Sequence, residues 1–282
     1  MLFAPLLPRR EFSILPGFGL TLGISLAWLS VIVLIPLVML VLSGIGVGPA
    51  GITRVLSSPR VLASLWLSLW ASLLASFITM VIGLLLAWVL VRYSFPGKKI
   101  VDALIDLPIA LPTAIAGIAL TQLYAPSGWL GYPLAQLGIK VAYAPLGIIV
   151  ALVFIGIPLV VRAVQPVLSQ VDPSLEEAAG SMGASRWQVF WHVILPQIFP
   201  ALLAGGVMAA GRGFGEYGSV VFISSNKPFV GEIAPLLIVT RLEEFDYAGA
   251  TVIALAMLVI SLSLLLAGNL LGAAARKMAG QS

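Results

Sequence analysis

Six long stretches of the sequence contain no Asp, Glu, Lys or Arg, and this feature restricts the chain to folds that lie in a lipid bilayer. A helix that crosses the hydrocarbon core needs about 20 mostly apolar residues. The composition agrees, since 60% of the 282 residues are hydrophobic and 9% are charged, whereas soluble domains have about 25% charged residues. The stretches are Gly17–Leu42, Val61–Val91, Leu107–Ile139, Val141–Val161, Val193–Gly211 and Tyr247–Ala275. The sequence therefore predicts an all-α integral membrane protein with six transmembrane helices.

Three of these stretches need adjusted boundaries. The third is too long for one helix, and its Pro/Gly-rich part, Ala125 to Pro133, predicts a turn, so the helix should end near Tyr124. The fifth must continue to about Phe222 to cross the membrane completely. The first follows Arg9 and Arg10 and resembles the start of a signal peptide, but it is longer than the ~7–15 residues of such an apolar region. We therefore expect a retained first membrane helix.

The distribution of Lys and Arg predicts the orientation. Six spans place both termini on one side, and positive residues favour the cytoplasmic side. The terminal side holds nine basic residues, Arg9, Arg10, Arg92, Lys98, Lys99, Arg162, Arg186, Arg276 and Lys277. The other side holds five, Arg54, Arg60, Lys140, Lys227 and Arg241. Both termini are therefore expected in the cytoplasm, together with the segment between spans four and five.

The composition argues against several functions. The chain has no cysteine and one histidine, which leaves no thiolate or histidine cluster for a metal and no cysteine nucleophile. The basic residues are scattered, so their charge indicates membrane topology and not nucleic-acid binding. The phosphate-binding motif G-x-x-x-x-G-K-[ST] is absent, so the chain is not expected to hydrolyse ATP by that chemistry. We expect no catalytic residues, no metal and no cofactor, and membrane lipid as a partner.

The segment DPSLEEAAGSMGASRWQVFWHVILPQ, residues 172–197, predicts two short helices. Asp172 followed by Pro173 is typical of a helix N-cap and first position. Gly183 predicts the break after this helix, and Ser185 with Gln188 predicts a capping box that begins the next one. The spacing of the first helix places four apolar residues on one slim face, Leu175, Ala178, Ala179 and Met182. Pro196 and Pro200 are expected to separate the second helix from the fifth span.

The residues alone leave two functions open for this segment. A slim amphipathic helix on the cytoplasmic face can dock into a groove of a partner protein. It can equally lie along the membrane surface, as ordinary interfacial helices do.

A family resemblance favours docking. EAAGSMG, residues 177–183, followed after nine residues by VILP, resembles the EAA loop of ABC importer permeases, with valine in place of the first isoleucine. The resemblance implies the type I ABC importer permease fold and a coupling helix that inserts into a cleft of an ATP-binding subunit. It assigns that coupling role to Glu177, Ala178, Ala179, Gly183, Val193, Leu195 and Pro196.

Four further stretches resemble the T-type subunits of sulfate/thiosulfate permeases. They are RYSFPGKKIVDALIDLPIALPTAIAG (92–117), IPLVVRAVQPVL (157–168), GRGFGEYGSVVFIS (211–224) and RLEEFDYAGA (241–250). The resemblance implies import of sulfate or thiosulfate across a bacterial inner membrane, with two ATP-binding cassette subunits, a second homologous permease subunit of the W type and a periplasmic sulfate-binding protein. It also implies three parts, which are an N-terminal region (1–60), a permease core (61–268) with the coupling segment 172–196, and a cytoplasmic tail (269–282).

Other functions remain as alternatives to sulfate import. Related permeases import molybdate or tungstate, and a secondary anion transporter acting alone is a different class. Six spans are few for a secondary transporter, and the chain has no convincing inverted repeat. An integral-membrane enzyme is a third class, but the expected catalytic groups are missing.

Two charged residues in the continuation of the fifth span beyond Gly211 are candidates for the translocation path. Arg212 and Glu216 are four residues apart, so on a helix they share a face and can neutralise each other. An ionisable group at the bilayer centre costs about 2.5–3.5 kcal/mol on insertion scales, and it should therefore face the bundle interior or a water-filled path. The pair can line the path of an oxyanion, or it can only fix helix packing. In the third stretch, Pro108 and Pro112 predict a kink, which is either a hinge or an entry bend where Asp102 and Asp106 stay hydrated.

Overall fold

The computed structural model describes residues 18–278, with side chains described up to residue 274. The predicted N-terminal tail with Arg9 and Arg10, the side chains of Arg276 and Lys277, and residues 279–282 of the predicted C-terminal tail lie outside the described parts. Within the described residues, all regular structure is helical. The helices are α1 Phe18–Gly46, α2 Pro49–Leu56, α3 Pro59–Arg92, α4 Lys98–Ile105, α5 Leu107–Ala110, α6 Thr113–Tyr124, α7 Gly131–Gln136, α8 Pro145–Gln170, α9 Pro173–Ser181, α10 Arg186–Phe214, α11 Val220–Ile223, α12 Ala234–Glu243 and α13 Tyr247–Met278.

Five of the described helices are long and apolar enough to cross a membrane, namely α1, α3, α8, α10 and α13. They confirm that the first, second, fourth, fifth and sixth predicted stretches form spanning-length helices. The third stretch instead contains three short helices, α5, α6 and α7, and only α6, with 12 residues, is comparably apolar. The predicted count of six transmembrane helices is therefore not confirmed, since five described helices reach spanning length and the third stretch is divided into shorter ones.

Proline chemistry explains the break in the third stretch. Leu111 has an extended backbone, with ψ of 137°, because the residue before a proline is disfavoured in the helical region. Pro112 then lacks the N–H that would continue the helix. The predicted disruption at Pro108 and Pro112 is confirmed as a complete break, and α6 ends at Tyr124 as predicted.

The core of the bundle is formed by α3, α8 and α10, which pack against each other, while α13 packs on α10. Small residues allow this close approach. A Cβ on Gly83 of α3 would lie 2.7 Å from Val160 Cγ1 of α8, and one on Gly205 of α10 would lie 2.9 Å from Val160 Cα. Val160 is fully buried between the two glycines. The glycines therefore determine how closely the three helices pack.

The boundaries of the fifth span differ from the prediction at both ends. Helix α10 begins at Arg186 and continues through Pro196 and Pro200, which were expected to separate two helices. A π turn at Phe190–Ile194, in which the Leu195 N–H donates to the Phe190 carbonyl, leads the chain into Pro196 without a break. The helix ends at Phe214 and not near Phe222, because the following glycine-rich residues form a turn before α11.

Candidate functional site

Helix α9 has a cap at each end, as the sequence predicts. The Asp172 carboxylate accepts a hydrogen bond from the Ser174 N–H at 2.9 Å. This backbone hydrogen bond, followed by the hydrogen bond of the Ser174 side chain, lowers the pKa of Asp172 below its usual value. At the other end Gly183 has φ of +87°, and the Ala184 N–H donates to the Ala179 carbonyl at 3.1 Å. This is the Schellman arrangement, which ends a helix sharply.

The next helix begins immediately after this turn with the predicted capping box. The Ser185 N–H donates to Gln188 Oε1 at 2.8 Å, and the Gln188 N–H donates to Ser185 Oγ at 3.3 Å. Two N–H groups that would otherwise have no helical partner are satisfied reciprocally. Residues 172–188 therefore have a defined shape that is built almost entirely from contacts between near neighbours.

Most of the predicted apolar face of α9 is exposed. Only Ala179 is buried, packed against the core, while Met182 is 84% exposed and Leu175 is 46% exposed. Glu177 and Ala178 are also exposed. The helix is held to the bundle on the side of Ala179 by an ion pair between Glu176, three residues earlier, and Arg92, the last residue of α3. One side of α9 is thus fixed and the other is available to a partner.

A groove of about 490 Å³ lies beside the turn at Gly183. It is lined by Ala179, Met182, Gly183, Ala184, Gln188, Val189, His192 and Val193. The structure therefore brings three of the predicted coupling residues, Ala179, Gly183 and Val193, to one surface. Leu195 and Pro196 do not line the groove, because they lie further along α10. His192 contacts only the Gln188 carbonyl, at 3.0 Å, among the described hydrogen bonds.

Arg212 and Glu216 form the predicted ion pair, with 2.5 Å between Arg212 Nη1 and Glu216 Oε2. They do not lie on one helix, since α10 ends between them at Phe214. Glu216 is 2% exposed, and its Oε1 accepts hydrogen bonds from the N–H and the hydroxyl of Ser219, at 3.0 and 3.1 Å. Arg212 is 46% exposed. The buried carboxylate therefore organises the turn after α10, and the Arg212 guanidinium contacts it from a half-exposed position.

A cluster around Arg162 was not predicted from the sequence. Its guanidinium, on α8, donates to the Asp106 carboxylate at 2.9 and 2.6 Å and to Asp102 Oδ1 at 2.7 Å. Gln165 joins the cluster by accepting from Arg162 at 2.6 Å. Both aspartates, for which hydration at an entry bend was one expectation, thus connect α4 and the residue between α4 and α5 to α8. The sequence did contain an indication of this cluster, because the charged Arg162 interrupts an otherwise apolar run of residues.

A second contact that was not predicted involves Arg60, at the start of α3. Arg60 donates to both carboxylate oxygens of Glu232, at 2.8 and 2.6 Å, and Glu232 is 3% exposed. The two residues are 172 positions apart, so no local pattern could reveal the contact. Within the described residues, no group of three or more His, Asp or Glu side chains is placed to hold a metal ion.

Known proteins resemble this chain in sequence and in fold. The family described as "Binding-protein-dependent transport system inner membrane component" matches residues 79–277. The "Sulfate transport system permease protein CysT" of Escherichia coli (strain K12) is 46% identical over 92% of this chain and 93% of its own length. The protein of the same name from Synechocystis sp. (strain ATCC 27184 / PCC 6803 / Kazusa) is 42% identical over 93% of this chain and 92% of its own length.

A solved structure supports the fold. A chain of a bacterial ABC transporter involved in the import of the acidic polysaccharide alginate superimposes with a TM-score of 0.74, covering 90% of this chain and 94% of its own, at 18% identity. The fold is therefore that of ABC transporter permeases, as the sequence analysis expected. Because the family matches most of the sequence, the chain belongs to the binding-protein-dependent transport system inner membrane components.

Proposed function

We propose that the chain is the membrane-spanning permease subunit of an ATP-driven importer of sulfate or thiosulfate in a bacterial inner membrane. The observation that carries the proposal is the similarity, over more than nine tenths of the chain, to permeases that are named as components of sulfate transport systems. The family description supports the inner membrane as the location. Both termini lie in the cytoplasm in this proposal, which follows the distribution of Lys and Arg.

The energy for transport comes from other subunits. Two ATP-binding cassette subunits hydrolyse ATP, a second homologous permease subunit of the W type completes the membrane part, and a periplasmic sulfate-binding protein delivers the anion. This chain is a non-catalytic translocation subunit, since its sequence contains no phosphate-binding motif for ATP.

The coupling segment, residues 172–196, transmits closure of the ATP-binding subunits to the bundle. Three observations support this role. The apolar face of α9 is exposed, the turn at Gly183 is rigid because backbone hydrogen bonds close it, and α10 continues from the segment into the core without a break. A displacement of α9 would therefore be passed directly to a helix that packs against α3 and α8.

Arg212 and Glu216 line the translocation path. The half-exposed guanidinium offers a positive charge to an oxyanion, while Glu216 keeps the charge of the site close to neutral. A permease must release its substrate as well as bind it, so a partly neutralised cation suits the task better than a free one.

Sulfate uptake in proteoliposomes tests the coupling segment. The assembled transporter, with its binding protein, is reconstituted as wild type, as Gly183→Asp and as the control Gly138→Asp. Both glycines have positive φ, +87° and +76°, and open space around them. The two variants therefore introduce similar backbone strain, but only one alters the segment.

We expect ATP-dependent uptake to be lost in Gly183→Asp and retained in Gly138→Asp. Equal uptake by the two variants would contradict the coupling role. Uptake by the wild type that is indifferent to ATP would contradict the importer and indicate a self-sufficient carrier. ATP turnover stimulated by molybdate and not by sulfate would keep the mechanism and change the substrate.

The role of the charged pair is tested with both charges removed together. Arg212→Gln/Glu216→Gln leaves no unpaired charge in the bundle, so a loss of transport can be separated from a loss of folding. We expect the assembled double variant to lose sulfate uptake, whereas Arg54→Gln, which changes an exposed arginine at the end of α2, should transport normally. Uptake at the wild-type rate by the double variant would contradict a role in the path.

A further inference from the structure

Two adjoining cavities lie where α3 ends and α10 begins. The first has a volume of about 310 Å³ and is lined by Leu84, Leu85, Trp88, Arg186, Trp187 and Phe190. The second has a volume of about 350 Å³ and shares Trp88, Arg186 and Phe190 with the first, but it also contacts Tyr93 and Glu176. Together they form one groove, here called the interface groove, with an apolar end and a polar end.

The apolar end lies at the depth of the lipid chains. Leu85 is seven residues before Arg92, the last residue of α3, which places it roughly 10 Å along the helix axis from that end. Leu85 is 62% exposed on a helix that spans the membrane. A water-soluble subunit that approaches the end of the bundle would not reach this depth, so the ATP-binding subunits leave the apolar end uncovered.

An aromatic cluster forms the middle of the groove. Trp88 and Phe190 meet edge to face with 5.6 Å between ring centroids, and Trp187 stacks on Phe190 at 6.0 Å. Trp187 is 69% exposed despite its size. Tryptophan is enriched where membrane and water meet, because its ring is apolar and its N–H is polar. The cluster therefore marks the level of the lipid headgroups.

The polar end carries an uncompensated positive charge. Arg92 pairs with Glu176 and lies over the Trp88 ring, 5.5 Å from its centroid, so the acid in the groove is neutralised. Arg186 is exposed and forms no ion pair with any described residue. It is also the first residue of α10, where the helix dipole disfavours a cation. An anion beside Arg186 would relieve this local repulsion.

We propose that the interface groove binds one anionic phospholipid. Its phosphate and anionic headgroup lie against Arg186 at the polar end, and an acyl chain lies between Leu84, Leu85 and Trp187 at the apolar end. Basic pockets between membrane helices bind anionic headgroups in this way. The site goes beyond the proposed transport function and does not depend on which anion is imported.

Native mass spectrometry of the purified transporter complex tests the proposal with phosphatidylglycerol and phosphatidylcholine of identical chains. We expect preferential retention of phosphatidylglycerol, and a decrease of about fivefold in its affinity in Arg186→Gln, the effect of one basic residue near a lipid headgroup. Trp187→Ala should weaken both lipids. The control Lys99→Gln removes another exposed charge, on α4 outside the groove, and should leave binding unchanged.

Three outcomes would overturn the site. Equal retention of the two lipids would show that the groove does not recognise the anionic headgroup. An equal decrease in Arg186→Gln and Lys99→Gln would show general surface electrostatics. Binding to the isolated chain that disappears in the assembled complex would show that a protein subunit covers the groove. The unfolding temperature of each variant, measured in the same detergent, verifies that Arg186→Gln remains folded.

Discussion

Two turns of this chain depend on glycine and follow the end of a helix, yet they are held in different ways. The exposed turn, residues 182–185 after α9, is closed by backbone hydrogen bonds within six residues, and Gly183 has open space around it. The buried turn, residues 215–219 after α10, is closed by the Glu216 carboxylate and packs against α6. A Cβ on Gly117 of α6 would lie 2.4 Å from the Ser219 carbonyl oxygen.

This difference separates a structure that is encoded locally from one that depends on distant packing. The exposed turn keeps its shape while one side of α9 remains available for a partner. The buried turn is part of the bundle, so its charges and contacts determine whether the bundle forms. We therefore expect substitutions at the buried turn to affect global stability, and substitutions at the exposed turn to affect only the segment around it.

Arg212→Gln should have the largest effect. It leaves the Glu216 carboxylate buried without a countercharge. Removing one partner of a fully buried ion pair costs about 3 kcal/mol or more, but Arg212 is half-exposed and water screens its charge, so the cost should be roughly 2–3 kcal/mol. The measurement is the unfolding temperature of the purified chain in detergent. Arg54→Gln is the matched control at an exposed position and should change the stability by less than about 0.5 kcal/mol.

The double variant Arg212→Gln/Glu216→Gln sharpens this prediction. With both charges absent, no charge remains unpaired, so the unfolding temperature should recover part of the loss. A double variant less stable than Arg212→Gln would indicate that the hydrogen bonds that the Glu216 carboxylate accepts from Ser219 matter more than the charge balance.

Gly117→Ala should have the second largest effect on global stability. The added methyl group would meet backbone atoms of Ser219, which cannot rotate away, and such overpacking typically costs about 2 kcal/mol. Gly211→Ala is the control, since Gly211 lies within α10 and has no atom within 4 Å of the added Cβ. That variant should gain up to about 1 kcal/mol from helix propensity. A loss of equal size in both variants would show that glycine matters here for backbone freedom and not for packing.

The exposed turn was predictable from sequence because its signals act over a few residues. Asp172 and Pro173 determine where α9 begins, Gly183 determines where it ends, and Ser185 with Gln188 form the next cap. The membrane helices were predictable for a similar reason, since each long apolar run is a local property of the chain. The resemblance to the EAA loop identified the family. The local signals of the segment alone left open whether it docks to a partner or lies along the membrane.

The buried turn was only half predictable. The spacing of Arg212 and Glu216 correctly indicated a pair, but the end of α10 at Phe214 depends on Ser219, Gly117 and Thr113, which meet only in the folded bundle. The Arg60–Glu232 pair and the Arg162 cluster likewise form only when distant parts of the chain meet in the folded bundle. Charged partners 56 or more positions apart leave no periodic signal in the sequence.

Gly183→Ala should have a smaller and local effect. Alanine fits the space, but an L-residue in the left-handed region costs about 1 kcal/mol. The neighbouring Gly180→Ala should act in the opposite direction, since Gly180 is helical and also has open space. Hydrogen exchange of residues 172–185 measures both effects, with faster exchange expected for the first variant and slower exchange for the second. The unfolding temperature of the bundle should hardly change, because local opening does not require global unfolding.

The smallest effect should be the pH dependence of the Asp172 cap. Hydrogen bonds from Ser174 lower the pKa of Asp172 in the folded chain below the ~3.9 of an unfolded aspartate. The cap is therefore fully effective above the unfolded pKa, and its contribution is lost as the pH falls through the lower, folded pKa. Protection of the first-turn amides of α9 against exchange, corrected for intrinsic rates, should stay constant from pH 7 to 5 and decrease by roughly fivefold or less in stronger acid.

Two variants isolate this titration. Asp172→Ala should have reduced protection at neutral pH and no acid step, because it has neither the acceptor nor the charge. Asp172→Asn keeps an acceptor that does not titrate, so protection should remain near the wild-type value without the acid step. An acid step of unchanged size in Asp172→Asn would assign the loss of protection to a contact outside the cap, such as the one between α9 and Arg92 of α3. The exposed turn would then depend on the bundle after all, and the contrast with the buried turn would be one of degree.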